Sequence, residues 1–231
     1  MTKVFFGAIL ILLTAFQYTA YAEDISKISV TGEGVVEAPP DCAKISVGIV
    51  SRNNDAEKVQ AENARVAANI INSIVAIGID KKNISTSNYN FRPTYRNDAD
   101  NRRIFDGYEV TNSVTILVND LSKVSKVIDT ALANGANQID SLNFGIRDRE
   151  KFQNDALRVA VRDAMKKAEI VAAEIGKSIV NVHNVTVNYS SISAPHVERM
   201  AVSNMDAKIE TPIEAGTLSC SASVYVEFEI N

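Results

Sequence analysis

Apolar and polar residues alternate along several stretches of the chain, and this period of two is typical of half-buried β-strands. The alternation is most regular from Leu218 to Ile230, where the apolar side chains take the even-numbered positions. A second alternating stretch begins after Asp41 and has apolar residues at positions 43, 45, 47 and 49. Together with their flanking turn residues, the apolar patterns predict further strands at about 25–36, 84–96, 104–118, 139–146 and 180–187.

Three other segments carry apolar residues at helical spacing. The first follows the N-cap candidates Asn53-Asn54-Asp55 and ends at Gly78, and the second follows Asp120 and ends at Gly135. The third helix is predicted over about 149–175 and has an alanine at every fourth position: Ala156, Ala160, Ala164, Ala168 and Ala172. Such a stripe lets a helix backbone approach another element closely. We interpret it as core packing, with a contact between subunits as the alternative.

Two glycines, Gly32 and Gly34, interrupt the first predicted strand. A dinucleotide-binding loop would need a third glycine at position 37 and a helix after it, whereas Glu37 and then Pro39-Pro40 follow. We therefore predict a bend or bulge within a strand at this point.

The order of predicted elements is two strands, helix, two strands, helix, strand, helix, two strands. It predicts an α+β fold in which helices pack on one face of an antiparallel sheet. The order contains a βαββαβ run, like that of a split βαβ arrangement. Because no linker rich in Pro, Gly or Ser divides the chain, we predict a single domain over residues 23–231. The stretch between Ser190 and Thr211 has few periodic apolar positions and is predicted to be a long excursion.

The N-terminus has the pattern of a signal peptide. Lys3 is followed by an apolar run over residues 4–16, and the small residues Ala20 and Ala22 stand where signal peptidase cleaves. The run is shorter than the roughly 20 residues that a transmembrane helix needs, although a retained anchor is the alternative. We predict cleavage after Ala22, export to the periplasm and no transmembrane span in the remaining chain.

Composition and charge narrow the function classes. Hydrophobic residues make up 46%, charged residues 23%, and the formal net charge is −4. An acidic chain of this kind argues against a nucleic-acid partner. The two histidines, His183 and His196, have no metal-ligand spacing, and no nucleophile or phosphate-binding motif is present. We predict a protein that is not an enzyme, with no catalytic, cofactor-binding or metal-binding residues.

The two cysteines, Cys42 and Cys220, are candidates for a disulfide, because disulfides form in exported proteins. Strand periodicity places Cys220 on the apolar face of its strand, and places Cys42 on the face that carries Lys44 and Ser46. This parity favours two separate thiols. A disulfide is the alternative, since a bulge near Asp41 would reverse the parity of Cys42.

Short motifs spread along the chain resemble those of the SIMPL-domain family. They are Ile28-Ser29-Val30-Thr31-Gly32-Glu33-Gly34 with Pro40-Asp41, Gly107-Tyr108, Gly135-Ala136-Asn137, the alanine-striped helix and Pro212-Ile213-Glu214-Ala215-Gly216. The resemblance implies a periplasmic protein with possible outer-membrane association and no established enzymatic activity. It also implies a link to oxidative-stress defence and ring-like or channel-like oligomers. The family has no agreed catalytic residues to carry over.

Three functional hypotheses follow. The first is a non-enzymatic periplasmic protein that self-assembles and contributes to envelope or oxidative-stress physiology, with the alanine stripe and the polar face of the last strand as candidate assembly surfaces. The second is a monomeric module that binds a peptide, lipid or envelope component through a strand edge or the 190–211 segment. The third, which we rank last, is a thiol or metal enzyme centred on Cys42, Cys220 and His183.

Overall fold

The computed structural model describes residues 26–189 and 213–231. They form seven strands and three α-helices, in the order β1 (Lys27–Ala38), β2 (Cys42–Asn53), α1 (Ala56–Ala76), β3 (Ile84–Asn97), β4 (Arg103–Val118), α2 (Val124–Ala133), β5 (Gln138–Gly145), α3 (Arg149–Glu174), β6 (Ile179–Tyr189) and β7 (Leu218–Ile230). This confirms the predicted α+β class. The predicted leader, His196 and the 190–211 segment lie outside the described residues.

The strands divide into two antiparallel sheets, each with its own helices. The four-stranded sheet has the order β3-β4-β2-β5 and packs against α1 and α2. In this sheet β2 lies between β4 and β5, as in a split βαβ arrangement, which confirms the predicted βαββαβ run. The three-stranded sheet has the order β1-β7-β6 and packs against α3.

Large branched side chains fill the core of the four-stranded sheet. Ile45 and Ile116 face Ile70 and Ile74 of α1 in one apolar cluster, and all four side chains are fully buried. The carboxylate of Asp55 begins α1 by accepting hydrogen bonds from the backbone N–H groups of Glu57 and Lys58. The sheet therefore owes its cohesion mainly to the burial of aliphatic surface.

The three-stranded sheet is held by small residues instead. The five alanines of the α3 stripe are buried against β1 and β7, which confirms the core-packing interpretation. A Cβ atom at Gly32 would overlap the carbonyl oxygen of Ala160, and one at Gly34 would overlap that of Ala156. The predicted bulge is absent, because β1 pairs with β7 without a register shift through both glycines. The glycines are needed because the helix backbone lies directly on the strand.

The two connections between the sheets meet at one point. Pro39 to Asp41 leads from β1 into β2, and residues 146–148 lead from β5 into α3. The carboxylate of Asp41 accepts hydrogen bonds from the backbone N–H of Arg147, at 2.8 Å, and from its Nε, at 3.2 Å. The N–H of Asp41 donates to the carbonyl of Gly145. These bonds join the segment by which the chain enters the four-stranded sheet to the segment by which it leaves that sheet.

Candidate functional site

The β3–β4 hairpin extends beyond the rest of its sheet. The last residue of β2, Asn53, is paired with Tyr108 of β4, whereas β3 and β4 remain paired out to Asn97 and Arg103. Beyond Tyr108 the sheet is therefore a ribbon of two strands. We call residues 91–108 the arm.

The tip of the arm is a tight turn closed by Asp98. Its Oδ1 accepts hydrogen bonds from the backbone N–H groups of Asp100, at 3.0 Å, and Arg102, at 2.8 Å. Asn101 has a φ of 61°, which asparagine tolerates better than most residues. The hairpin predicted around the polar stretch 97–102 is confirmed.

Four aromatic rings form a continuous ladder along one face of the arm. Phe91 stacks on Tyr108 with centroids 5.3 Å apart, and Phe105 meets the same tyrosine edge-on at 5.2 Å. Tyr95 continues the ladder by meeting Phe105 edge-on at 6.1 Å. The Arg103 guanidinium carbon lies 4.1 Å from the Tyr95 ring centroid, a cation–π contact that ends the ladder near the tip.

A β-bulge at Gly107 makes the ladder continuous. Tyr95 is paired with Phe105 and Pro93 with Tyr108, so β4 uses one residue more than β3 over this step. Gly107 has a φ of 102°, and a Cβ there would lie 2.8 Å from the carbonyl oxygen of Asn53. Without the bulge, strand alternation would place Phe105 and Tyr108 on opposite faces. The sequence analysis missed the ladder, and the Gly107-Tyr108 pair was the signal that could have indicated it.

The ladder is open to solvent. The exposed fraction is 41% for Phe91, 46% for Tyr95 and 50% for Phe105, and Tyr89, next along the same face of β3, is 51% exposed. Isolated exposed aromatic residues are common, whereas a contiguous patch of them is typical of a binding surface. Aromatic and arginine side chains are also the residues most enriched at the energetic centres of protein interfaces.

An ion-pair cluster around one buried carboxylate holds the base of the arm on the opposite face. Glu109 is paired with Arg52 on β2 and with Arg92 on β3, so the three side chains form one row across three strands. The carboxylate is buried and lies 2.6 Å from the Nη2 atom of each arginine. Hydrogen bonds from Arg92 and then Arg52 hold the pKa of Glu109 below its ordinary value. The row fastens the arm to the sheet.

A second apolar surface lies in the three-stranded sheet, where α3 leaves part of β6 uncovered. The groove between them has a volume of about 680 Å³ and is lined mainly by apolar side chains of α3, β6 and β7. Met165, Val180 and Val182 are between 48% and 63% exposed there. Glu169 and Lys177 are its charged lining residues. We call this the α3–β6 groove.

The two predicted assembly surfaces, the alanine stripe and the polar face of β7, differ in their exposure to solvent. The alanine stripe is buried inside the chain, so it is not available to a second copy in this fold. The polar face of β7 is open and carries a polar row: Lys27 Nζ donates to Nε2 of His183 at 2.7 Å, and His183 Nδ1 lies 2.9 Å from a carboxylate oxygen of Glu229.

The residues of the thiol or metal hypothesis are not brought together. Cys42 lies beside Gly145 in the four-stranded sheet, Cys220 lies in the alanine-rich core, and His183 lies on the outer face of the other sheet. Both cysteines are free, as the parity argument predicted, and both are buried, although parity placed Cys42 on the polar face of its strand. Burial raises the pKa of each thiol, and the Asp41 carboxylate raises that of Cys42 further. Within residues 26–189 and 213–231, no three His, Cys, Asp or Glu residues are grouped to hold a metal ion.

Among the helices that the structure describes, none is both long enough and apolar enough to cross a membrane.

The profile of the SIMPL family, described as a protein of unknown function (DUF541), matches residues 28–228. The chain therefore belongs to the SIMPL family, as the motifs indicated. The match spans both sheets, so the arm and the α3–β6 groove lie within the family's domain.

Two relatives illustrate the similarity. The 26 kDa periplasmic immunogenic protein of Brucella melitensis is 28% identical over 240 residues, which cover 96% of this chain and 94% of the relative. YggE of Escherichia coli K12, named as an uncharacterized protein, is 24% identical over 204 residues, which cover 88% of this chain and 82% of the relative. The Brucella name places that protein in the periplasm.

Proposed function

We propose that this SIMPL-family chain is a non-enzymatic periplasmic protein that self-assembles through its arm into a ring-like or channel-like oligomer. One observation carries the proposal: a continuous aromatic ladder, with three of its four rings 41–50% exposed, runs from the end of the sheet onto the two-stranded ribbon beyond it. An isolated two-stranded ribbon is marginally stable, so the arm gains from a surface that covers its rings.

The ladder offers a substantial fraction of a stable interface. An aromatic side chain buries 150–250 Å², so covering the open halves of the three exposed rings removes roughly 225–375 Å² from water. A standard interface buries about 800 Å² on each partner, and the ladder therefore supplies about a third of one side. The polar and arginine side chains around the rings are placed to supply the rim.

Other observations support the proposed location in the periplasm and the proposed physiological role. The signal-peptide pattern at residues 1–22 and the name of the Brucella relative favour the periplasm. The resemblance to the family supports a role in envelope or oxidative-stress defence, with association at the outer membrane. A strain that lacks the protein should survive peroxide less well, and the wild-type gene should restore survival.

Light scattering on the protein purified from the envelope of cells that express the full chain tests the assembly. We expect a mass well above one chain for the wild type, and the mass of one chain when Tyr95→Ser and Phe105→Ser are combined. Tyr225→Ser is the matched control, because Tyr225 is an exposed aromatic residue on the other sheet. A wild-type protein with the mass of one chain at every concentration would contradict the proposal.

The α3–β6 groove favours a second candidate function, a monomeric module that binds a peptide or lipid. Its apolar lining and volume of about 680 Å³ are typical of a site for a small apolar ligand. Denaturing mass spectrometry of organic extracts of the purified protein tests it. A stoichiometric lipid or peptide in a single-chain protein would favour this candidate over assembly.

A further inference from the structure

We infer that the arm of one chain docks in the α3–β6 groove of a second copy. The inference rests on the proposed self-assembly and names the partner surface that the arm contacts. It follows from the presence, on one chain, of an extended aromatic surface and an apolar groove of matching length, composition and charge.

The two surfaces have similar lengths. From Phe91 to Tyr95 the arm advances four residues of extended strand, or about 14 Å. The wall of the groove on α3 runs from Met165 to Ala173, eight residues of helix, or about 12 Å. The ladder and the groove therefore match in length.

The chemistry of the groove suits aromatic rings. Ala172 and Ala173 keep its helical wall low, while Val182 and Phe228 form an apolar floor. Met165 is 49% exposed at the wall, and a methionine adapts its flexible side chain to ring edges through favourable sulfur–aromatic contacts. Neither surface needs to desolvate a row of charges in order to meet the other.

One charge on each surface can pair with the other: Arg103 at the end of the ladder, and Glu169 midway along the α3 wall of the groove. Within the arm, Arg96 and Arg102 have the carboxylates of Asp106 and Asp100 as neighbours, at 3.1 and 4.0 Å. Arg103 instead lies over the Tyr95 ring, at the end of the ladder. Because Glu169 lines the groove, docking of the ladder can bring the Arg103 guanidinium to this carboxylate.

The geometry also determines the kind of assembly. The arm belongs to the four-stranded sheet and the groove to the three-stranded sheet, so the contact joins two different surfaces. Such a head-to-tail contact leaves one free arm and one free groove on every growing assembly, which closes as a ring or continues as a filament. A two-fold dimer, in which arm meets arm, is a different arrangement.

A mixing experiment separates these arrangements. The arm variant combines Tyr95→Ser with Phe105→Ser, and the groove variant combines Met165→Glu with Val180→Glu. Each variant alone should have the mass of one chain. An equimolar mixture should have the mass of two chains, because the intact arm of the groove variant docks in the intact groove of the arm variant. The two surfaces left free in this pair are the substituted ones, so no further copy can add.

Matched controls show that each variant has lost a contact and not its fold. Ile170→Glu places the same charge on an exposed position of α3 outside the groove, and Tyr225→Ser removes an exposed ring far from the arm. Both controls should assemble as the wild type does. The circular dichroism spectrum should be unchanged in all four proteins, and each should unfold in one cooperative transition, with the two single-chain variants melting lower because they have lost the assembly.

Charge exchange tests the register of the contact. Arg103→Glu or Glu169→Arg alone should weaken assembly about tenfold, as expected for an arginine near the centre of an interface. The two substitutions together should restore most of the loss. A double variant that assembles no better than either single variant would contradict this register.

The possible outcomes distinguish the inference from the function on which it rests. If the groove variant assembles like the wild type while the arm variant does not, the inference is overturned and self-assembly through the arm stands. If the mixed variants keep the mass of one chain, the arm does not dock in the groove. If the wild type itself has the mass of one chain, the proposed function fails.

Discussion

The two sheets of this protein hold their helices by opposite means. The four-stranded sheet packs isoleucines and valines against α1 and α2, so its helices stand off at the distance of large side chains. The three-stranded sheet brings the backbone of α3 onto Gly32 and Gly34 of β1 through a row of alanines. A core of large side chains tolerates repacking, whereas a contact between backbones leaves no atom that can move aside.

This difference in helix packing explains where each sheet leaves apolar surface exposed to solvent. Because α3 lies so close to β1 and β7, it leaves β6 and its own flank around Met165 uncovered. In the four-stranded sheet the helices bury the central strands, and the open apolar surface lies on the arm beyond them. Within the described residues, each sheet thus presents an apolar surface, and these two surfaces differ in shape.

The largest expected effect comes from adding a methyl group to the backbone contact. Gly32→Ala should destabilise the protein by about 3 kcal/mol or more, because the new Cβ overlaps the carbonyl of Ala160 and lies 2.7 Å from the Cβ of Ala164. Gly145→Ala is the control, since a Cβ there meets only the Cys42 sulfur at 3.4 Å. Urea denaturation measures both. Equal stabilities for the two variants would refute the backbone contact.

Truncation of the aliphatic core should have the next largest effect. Ile74 is fully buried in α1, so Ile74→Ala should lower the free energy of unfolding by about 2–5 kcal/mol. The same substitution at Ile170, which is 54% exposed, should change it by less than about 1 kcal/mol. Chemical denaturation of both variants is the measurement. A similar loss at the two positions would show that the aliphatic cluster is not the core.

The ion-pair row at the base of the arm should contribute less. Glu109→Gln should lower the free energy of unfolding by about 1–2 kcal/mol at pH 7, through the loss of charge-assisted hydrogen bonds. Glu62→Gln, at an exposed position of α1, is the control.

The pH dependence of that loss has a definite sign. The pKa of Glu109 is lowered in the folded protein, so its contribution is present above the ordinary glutamate pKa of about 4.3 and disappears as the pH falls through the lowered value. Urea denaturation at pH 7 and at more acidic pH should show the wild type and Glu109→Gln converging in acid. A constant difference would contradict the role of the carboxylate.

The smallest expected effect is that of a reductant, which should leave the melting temperature unchanged because Cys42 and Cys220 are free. A thiol reagent should modify neither cysteine in the native protein at neutral pH, since both are buried and the pKa of each is raised. Mass spectrometry after alkylation, with and without urea, measures this. Two fewer modified thiols in urea without reductant would indicate a disulfide.

The order of elements could be predicted because its signals are local. The third helix is predicted over about 149–175 from its alanine period and spans Arg149–Glu174, where the Asp148 side chain caps the first turn and Gly176 follows the last. The last strand was predicted over Leu218–Ile230 and has those bounds. The helix was predictable from its period and its ends, and the strand from its alternation alone.

The division into two sheets and the aromatic ladder could not be predicted in the same way. The strand β7 pairs with β1, almost two hundred residues earlier, and nothing in either strand specifies the other. The glycines of β1 were interpreted as a bend or bulge. Their actual role, a close contact with α3, could not be predicted because that helix is far away in sequence. Phe105 and Tyr108 share a face only because Gly107 adopts a bulge, which strict alternation does not anticipate.

The central claim is that the arm contacts another copy of the same chain, and a crosslink in living cells tests it most directly. Two differently tagged copies of the full chain would be expressed together, with a photoreactive phenylalanine analogue in place of Phe105 in one of them. Irradiation should yield an adduct that carries both tags, and the same analogue in place of Tyr225 should not. The absence of that adduct from position 105, or equal amounts from both positions, would contradict the account.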